Sequence, residues 1–450
     1  MNLLEEFDTI SAIATPLGTG GVGIIRMSGE KSFDITKKIF SSKNFEAGKI
    51  SHGWILDGDA KIDEVIVLPF KCPHSYTGED VIEIHCHGGI NVVKNILDLT
   101  LKYGARLAER GEFTKRAFLN KKLDLSQAEA VADLIHSKTK NFAIQSAKNL
   151  SGKLGLEVNS IKSELFETLS RIVAGIDFPE DVSEPEYSYL NEKFQKSLTR
   201  IDKILDCAKT SDILRQGVKI AIVGKPNVGK SSLFNSLLNI ERAIVTDIAG
   251  TTRDIIKENL DWNIPITLID TAGIRNSDEV GKVEEIGIEY SKQSAYEADL
   301  VLFVYDFSIE FNDEDNEIYN LIKDKKHIVI ANKSDLKKFE NKLPFDDNIS
   351  IRISTINNSG IDELKNKIKS VISKFNTDET EFVTNKRQQE CLYKSKESLL
   401  RAIEGANRQE LQDMISIDLK AALLALDEIT GEVITDEILD NIFSHFCIGK

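Results

Sequence analysis

Eight consecutive residues, Gly224-Lys225-Pro226-Asn227-Val228-Gly229-Lys230-Ser231, constrain this chain more than any other feature. They spell a phosphate loop, and such a loop works only between a strand and a helix. Backbone N–H groups at the helix start cradle the phosphates, and the glycines let the backbone come close. The sequence supplies both neighbours, an apolar run at 219–223 and a helical stretch at 231–238. In this pattern Lys230 reaches the β- and γ-phosphates and Ser231 ligates Mg²⁺, with Asn227, Val228, Gly229 and Ser232 completing the cradle. Further apolar runs at 266–270, 300–305, 327–332 and 349–354 alternate with helical stretches, which predicts a mostly parallel α/β sheet.

Two more segments follow strands of that sheet. Asp270-Thr271-Ala272-Gly273 places Asp270 to hold the Mg²⁺ shell and the Gly273 N–H to sense a γ-phosphate. Asn332-Lys333-Ser334-Asp335 selects the base: a carboxylate accepts two hydrogen bonds from the guanine N1–H and amine, a pair adenine does not offer. The chain is therefore expected to bind GTP and GDP. Thr246-Asp247-Ile248-Ala249-Gly250-Thr251-Thr252-Arg253-Asp254 reads as a switch segment in which one Thr closes the Mg²⁺ shell when the γ-phosphate is present. Arg253 stands as either an arginine finger or a structural partner of Asp254 or Glu258. Ile274 occupies the place, directly after Gly273, where Ras-like enzymes carry the glutamine that orients the attacking water. Hydrolysis must use another group.

The remainder of the chain is organised around this module. At 450 residues and 41% hydrophobic it is long enough for two to four domains. Residues 1–121 predict an α+β domain, with strands at 9–15, 22–27, 61–68 and 81–87 and a helix at 91–103. Residues 122–214 turn helical: Leu125, Ala128, Val131, Ala132 and Ile135 recur at three and four. Residues 215–376 form the nucleotide module, and helical periodicity returns over 377–450. The economical arrangement is a nucleotide domain inserted into a discontinuous helical domain. The acidic stretch 177–186, with Pro179 and Pro185, reads as a solvated turn.

Composition narrows the functional classes. A net charge of −15 argues against non-specific coating of nucleic acid, so any RNA contact needs a local basic patch or a partner's surface. Five scattered cysteines predict free thiols in place of a disulfide framework. The absence of an eighteen-residue apolar run and of a basic leader predicts a cytoplasmic protein with no membrane role. Gly18-Thr19-Gly20-Gly21-Val22-Gly23 fits a dinucleotide fingerprint, but a strand follows it where a helix is required. Glu83, His85 and His87 alternate on one strand face with Cys86 on the other. No second ligand pair at zinc spacing accompanies them, which favours satisfied histidines over a metal.

The segments GKPNVGKSS, TDIAGTTRD, DTAGIR and NKSD, the N-terminal Ala14-Thr15-Pro16 with Gly20-Gly21-Val22-Gly23-Ile24-Ile25-Arg26, and Cys447-Ile448-Gly449-Lys450 together resemble the MnmE (TrmE) family of tRNA-modification GTPases. The resemblance spans essentially the whole chain. It implies an N-terminal tetrahydrofolate-binding and dimerisation domain, a discontinuous helical domain and an inserted Ras-like G domain. It also implies a homodimer that closes across its nucleotide domains with K⁺ in place of an arginine finger. Asn227, Thr246, Ile248 and Thr251 match the K⁺ positions and Thr252 the Mg²⁺ position. A monovalent cation between α- and γ-phosphate oxygens supplies the charge a finger would. Glu284 matches the glutamate that positions the attacking water, with Glu285 and Glu279 as alternatives. The family adds an aminomethyl or carboxymethylaminomethyl group at C5 of the wobble uridine of certain tRNAs, together with an FAD-containing MnmG-like partner that carries the flavin. Arg26, Glu83, Lys122 and Lys450 match its contacts to the tetrahydrofolate one-carbon donor. The rival reading is a ribosome-assembly GTPase acting as a binding switch, which predicts a basic RNA-binding module.

Overall fold

The computed structural model describes residues 8–42, 45–137, 139–239, 257–261, 265–270, 296, 298–340, 343–372 and 382–450. The chain divides into two compact units. One comprises Met1–Ile135, Ser146–Asp202 and Lys386–Lys450, the other His136–Gln145 and Lys203–Asn385.

In the first unit, strands β1 (Ile10–Ile13), β2 (Gly20–Ser28), β3 (Ser51–Asp57), β4 (Ala60–Phe70), β5 (Val81–Gly88) and β6 (Arg106–Leu107) form a sheet in the order β3-β4-β5-β2-β1-β6. All pairings are antiparallel except β1 with β6. Alternation along the strands assigns the two faces. Ile25 and Met27 of β2, Val65 and Val67 of β4, and Ile82, Ile84 and Cys86 of β5 share one buried cluster with Ile35 and Ile39 of the helix Ser32–Ile39 and with Val93, Ile96 and Leu99 of the helix Ile90–Lys102. Burying each such side chain contributes about 1.5–3 kcal/mol. The intervening residues Arg26 and Glu83 lie directly opposite each other across β2 and β5, on the face away from that core.

The same unit holds the long helices. Lys153–Asp177 buries Leu154, Val158, Ile161, Leu165 and Ile172, a three-and-four spacing that makes one apolar stripe. It packs against Gln412–Thr430, which packs in turn against Lys386–Asn407. Gly431 stops the middle helix in a left-handed C-terminal turn at φ 85°. Distant stretches of chain are joined by Arg387, whose guanidinium binds both carboxylate oxygens of Glu129 at 2.8 Å. The acidic turn is anchored at its end, where Gln412 Nε2 donates to Pro185 O at 2.8 Å.

The second unit contains β7 (Val218–Val223), β8 (Lys257–Asp261), β9 (Pro265–Asp270), β10 (Leu300–Asp306), β11 (His327–Asn332) and β12 (Ile351–Arg352), in the order β12-β11-β10-β7-β9-β8. All pairs are parallel except β8 with β9. Every residue of β10 is buried, which is why it reads as an unbroken apolar run. After β7 the chain adds strands to one side, and from β10 it builds on the other, so the ends of β7 and β10 flank a topological switch point. Ligands bind at such points. The expected fold class is the observed one. Among the described residues no helix is long and apolar enough to cross a membrane.

Candidate functional site

The phosphate loop leaves β7 at Val223 and enters the helix Lys230–Asn239. Three of its residues have positive φ: Gly224 at 153°, Asn227 at 63° and Gly229 at 97°. Both glycines are required. A Cβ at Gly224 would lie 2.1 Å from Val304 O, and one at Gly229 would lie 2.2 Å from Asn332 Nδ2. The loop is thus wedged between the ends of β10 and β11. Lys230 is buried and its ammonium spans the loop, donating to Gly224 O at 2.8 Å and Lys225 O at 2.7 Å. Val228 is buried, while Asn227, Ser231 and Ser232 are exposed, the serines on the first turn of the helix.

The base segment grips the phosphate loop directly. Asn332, at the end of β11, is buried; its side-chain amide donates to Val228 O at 2.8 Å, and its Oδ1 accepts from Thr355 N at 3.4 Å. Lys333 takes φ 62°, and its ammonium pairs with Asp306 at 2.6 Å. Burial pushes the Asp306 carboxyl up, but Lys333 and Ser308 outweigh it and hold that carboxyl below its ordinary value. Asp335 is exposed, with Oδ1 accepting from the buried Ser354 hydroxyl at 2.6 Å. An exposed carboxylate fixed by a neighbour suits it to accept paired donors from a base edge. Sequence reasoning missed Ser354, Thr355 and Asp306. The only signal was their place at the ends of β12 and β10.

Asp270 ends β9 beside Ile222 of β7 in register. Thr271, Ala272, Gly273 and Ile274, together with Thr246, Asp247, Ile248, Ala249, Gly250, Thr251, Thr252, Arg253 and Asp254, and also Glu279, Glu284 and Glu285, lie outside the described residues.

A second constellation lies in the other unit. Arg26 forks onto Glu83, with Nε at 2.8 Å and Nη2 at 2.7 Å from Oε1, while Nη1 donates to Gly449 O at 3.2 Å. Both side chains are about five-sixths buried, at 16% and 17% exposure. His85 Nε2 lies 3.2 Å from the other Glu83 oxygen. Burial pushes the Glu83 carboxyl up, and the opposing effects of Arg26 and His85 bring it below its ordinary range. The Arg26 guanidinium carbon also sits 5.6 Å from the Tyr76 ring centre and 5.7 Å from that of Phe113, within cation–π range. Lys122 is exposed, with Nζ on Pro73 O at 3.0 Å, in the loop that carries Tyr76. Cys86 faces the opposite way, donating to Gly23 O, and burial pushes its thiol up to about 11.

The end of the chain completes this constellation. Gly111 N donates to Cys447 O at 3.4 Å and Phe113 N to Lys450 O at 3.2 Å. Gly449 sits at φ 92°, where a Cβ would lie 2.4 Å from Ile13 O. Of the four residues expected to share a folate pocket, Arg26 and Glu83 touch and the Lys450 backbone docks on Phe113 beside them. Lys122 reaches the same neighbourhood through the 73–76 loop. Tyr76, Phe113 and His85 join them; no periodicity or spacing singled out the two aromatic residues.

Comparison with known proteins shows the family. Residues 9–122 match the model of the GTP-binding protein TrmE N-terminus, and residues 125–447 that of the MnmE helical domain. The tRNA modification GTPase MnmE of Thermoanaerobacter pseudethanolicus is 46% identical over 99% of this chain and 100% of its own, and that of Clostridioides difficile 45% identical over 98% and 99%. Among solved structures, Era from Aquifex aeolicus is 28% identical over 41% of this chain and 67% of its own, with a TM-score of 0.25. This chain belongs to the MnmE (TrmE) family of tRNA modification GTPases.

Proposed function

We propose that this protein is a K⁺-dependent GTP hydrolase. With an FAD-containing MnmG-like partner, it installs an aminomethyl or carboxymethylaminomethyl group at C5 of the wobble uridine of certain tRNAs, drawing one carbon from a tetrahydrofolate derivative. The observation that carries the nucleotide half is the mutual bracing of the two recognition segments, Asn332 on Val228 O and Lys230 on the loop carbonyls. Lys230 releases Gly224 O and Lys225 O to meet the β- and γ-phosphates, and Asp335 accepts from the guanine edge. Asn227, exposed and left-handed on the phosphate loop, would hold a monovalent ion together with Thr246, Ile248 and Thr251. Ser231 and Thr252 would hold Mg²⁺, with Asp270 supporting them, and Glu284 would orient the attacking water. The cations, when bound, neutralise charge that builds on the phosphoryl oxygens.

The folate half rests on Arg26, Glu83 and the chain's end. The largely buried Glu83 carboxylate would grip the amide-and-amine edge of a pterin, Tyr76 and Phe113 would provide aromatic walls, and Lys122 and Lys450 would offer cations to an anionic tail. These residue types fit the group. The chain works as a homodimer, and its G domains close when the γ-phosphate is present, because a differential contact is what shifts such an equilibrium.

The test is GTP turnover by the purified chain in KCl and NaCl at matched ionic strength, with Asn227→Ala alongside. K⁺ stimulation on the order of tenfold or more, lost in the variant, supports the reading. Equal rates in both salts overturn the K⁺ assignment and return Arg253 or an external activator to contention.

A further inference from the structure

Lys225 is the one lysine of the phosphate loop that the GTP mechanism leaves unused. It is buried, and its ammonium turns away from the loop to the segment following β10. There it meets Asp315 Oδ2 at 2.6 Å and Asn312 Oδ1 at 2.9 Å, with side-chain exposures of 10% for Lys225 and 3% for Asp315. Those two acceptors form the capping box of the helix Asp313–Ile322. Asn312 Oδ1 accepts from Asp315 N at 3.4 Å, and Asp315 Oδ2 accepts from Asn312 N at 3.1 Å. A capping box satisfies two orphan N–H groups by itself. Here a buried cation is added to it, and that cation belongs to the phosphate loop.

The same connection, residues 304–315, touches the nucleotide machinery at other points. Val304 O closes against Gly224, Phe307 N donates to Asn332 O at 2.9 Å, and Asp306 holds Lys333. One strand-to-helix connection therefore grips the phosphate loop at Gly224 and Lys225 and the base segment at Asn332 and Lys333. The Lys225 carbonyl, moreover, is one of the two that hold the Lys230 ammonium.

We propose that Lys225 is a positioning residue: through Asp315 and Asn312 it fixes the register of the phosphate loop on the N-terminus of helix Asp313–Ile322. It so couples the phosphate side of the site to the base side. Its charge is committed to this anchor and not to the nucleotide. The pair is buried, so loss of either partner leaves the other charge uncompensated, and the loop backbone at Gly224 and Lys225 loses its anchor on the helix. The consequence is a change in nucleotide retention more than in the chemical step. This rests on the GTP reading above.

The experiment compares the full chain with Asp315→Asn, Lys225→Met and Lys225→Arg, using release of a fluorescent GDP analogue and GTP steady-state kinetics. Asp315→Asn keeps the capping geometry and removes the charge, and should fold even where Lys225→Met does not. The expected result is GDP release and KM for GTP both raised about fivefold in Asp315→Asn with kcat lowered less than twofold, and recovery toward the parent in Lys225→Arg. A direct phosphate contact by Lys225 predicts instead that Asp315→Asn leaves release and KM within about 1.5-fold of the parent, and that outcome overturns the proposal. So does a fall in kcat alone. A parent chain that binds no guanine nucleotide sinks the underlying GTP reading, a failure visible before any variant is made.

Discussion

The two candidate sites are built in opposite ways. The nucleotide site comes from short contiguous segments, each placed at the end of a parallel strand, and its bracing contacts run between neighbouring strands. The pocket at Arg26 and Glu83 is closed by a carbonyl that lies 423 residues further along the chain. The first depends on local backbone geometry that a few glycines enforce. The second depends on the docking of a tail, held by single hydrogen bonds at its edge. A site made by strand ends should fail abruptly when its backbone is perturbed, whereas one closed by a tail should fail by opening, with the fold around it intact.

The sharpest way to break that contrast is a matched pair of glycine substitutions. Gly229→Ala forces a side chain into positive φ, at a cost of roughly 1–3 kcal/mol, and drives its Cβ into the Asn332 amide. Because Asn332 also holds Val228, both segments shift together, and GTP affinity should fall on the order of 100-fold, read by titration of a fluorescent nucleotide. Binding within about twofold of the parent would mean the loop is plastic, and the contrast with the tail would lose its basis.

Gly449→Ala is the counterpart, with a similar clash against Ile13 O but in a segment held by single hydrogen bonds. The tail can swing away, so the expected loss of stability is only about 1 kcal/mol, the net value of the hydrogen bonds released. The local signature is larger. The Phe113 amide, which donates to Lys450 O, should exchange with solvent much faster, while GTP affinity in the same variant stays within about twofold because, among the described residues, the sites share no partner. Unchanged Phe113 exchange would show that the tail is not held by this contact.

The same difference decides what the sequence made legible. Lys219 to Val223 and Leu300 to Tyr305 read as strands because strands buried on both faces are continuous apolar runs, and the phosphate loop announced its own flanks. β3 was missed, since Ser51-His52-Gly53-Trp54 breaks the alternation: Gly53 leaves room for the Phe40 ring and Ser41, against which a Cβ would lie 2.9 Å and 2.7 Å away. β8 was missed because Lys257-Glu258-Asn259 carries few β-formers for an edge strand. At the sites, Asp335 and Lys230 were legible from spacing alone. Ser354 and Tyr76 were not, because their roles depend on which loops the tertiary fold brings together. Arg26 and Glu83 were found by family resemblance; their face-to-face register across β2 and β5 is a fact of pairing that no single strand encodes.

Acid separates the two sites by the smallest effect. Glu83 and Glu112 in the first unit both have folded carboxyls below their ordinary 4.5, and Asp306 in the second lies below its ordinary 3.8. In each, burial acts to raise the value and a cation overcomes it: Arg26 for Glu83, Arg106 and Arg116 for Glu112, Lys333 for Asp306. A carboxyl lowered on folding contributes stability that is complete above its unfolded value and lost as pH falls through the folded one. Loss of protection around the Arg26 pocket should therefore begin near pH 4.5 as the solution is acidified, ahead of loss at the Lys333–Asp306 pair, which begins near 3.8. Amide exchange followed residue by residue down this range checks the order. Glu83→Gln, which removes one of the two titrating groups of the first phase, should weaken that phase and leave the second in place. If the phases coincide, or if Glu83→Gln shifts both, the two sites titrate as one and the independence argued from the glycine pair fails with them.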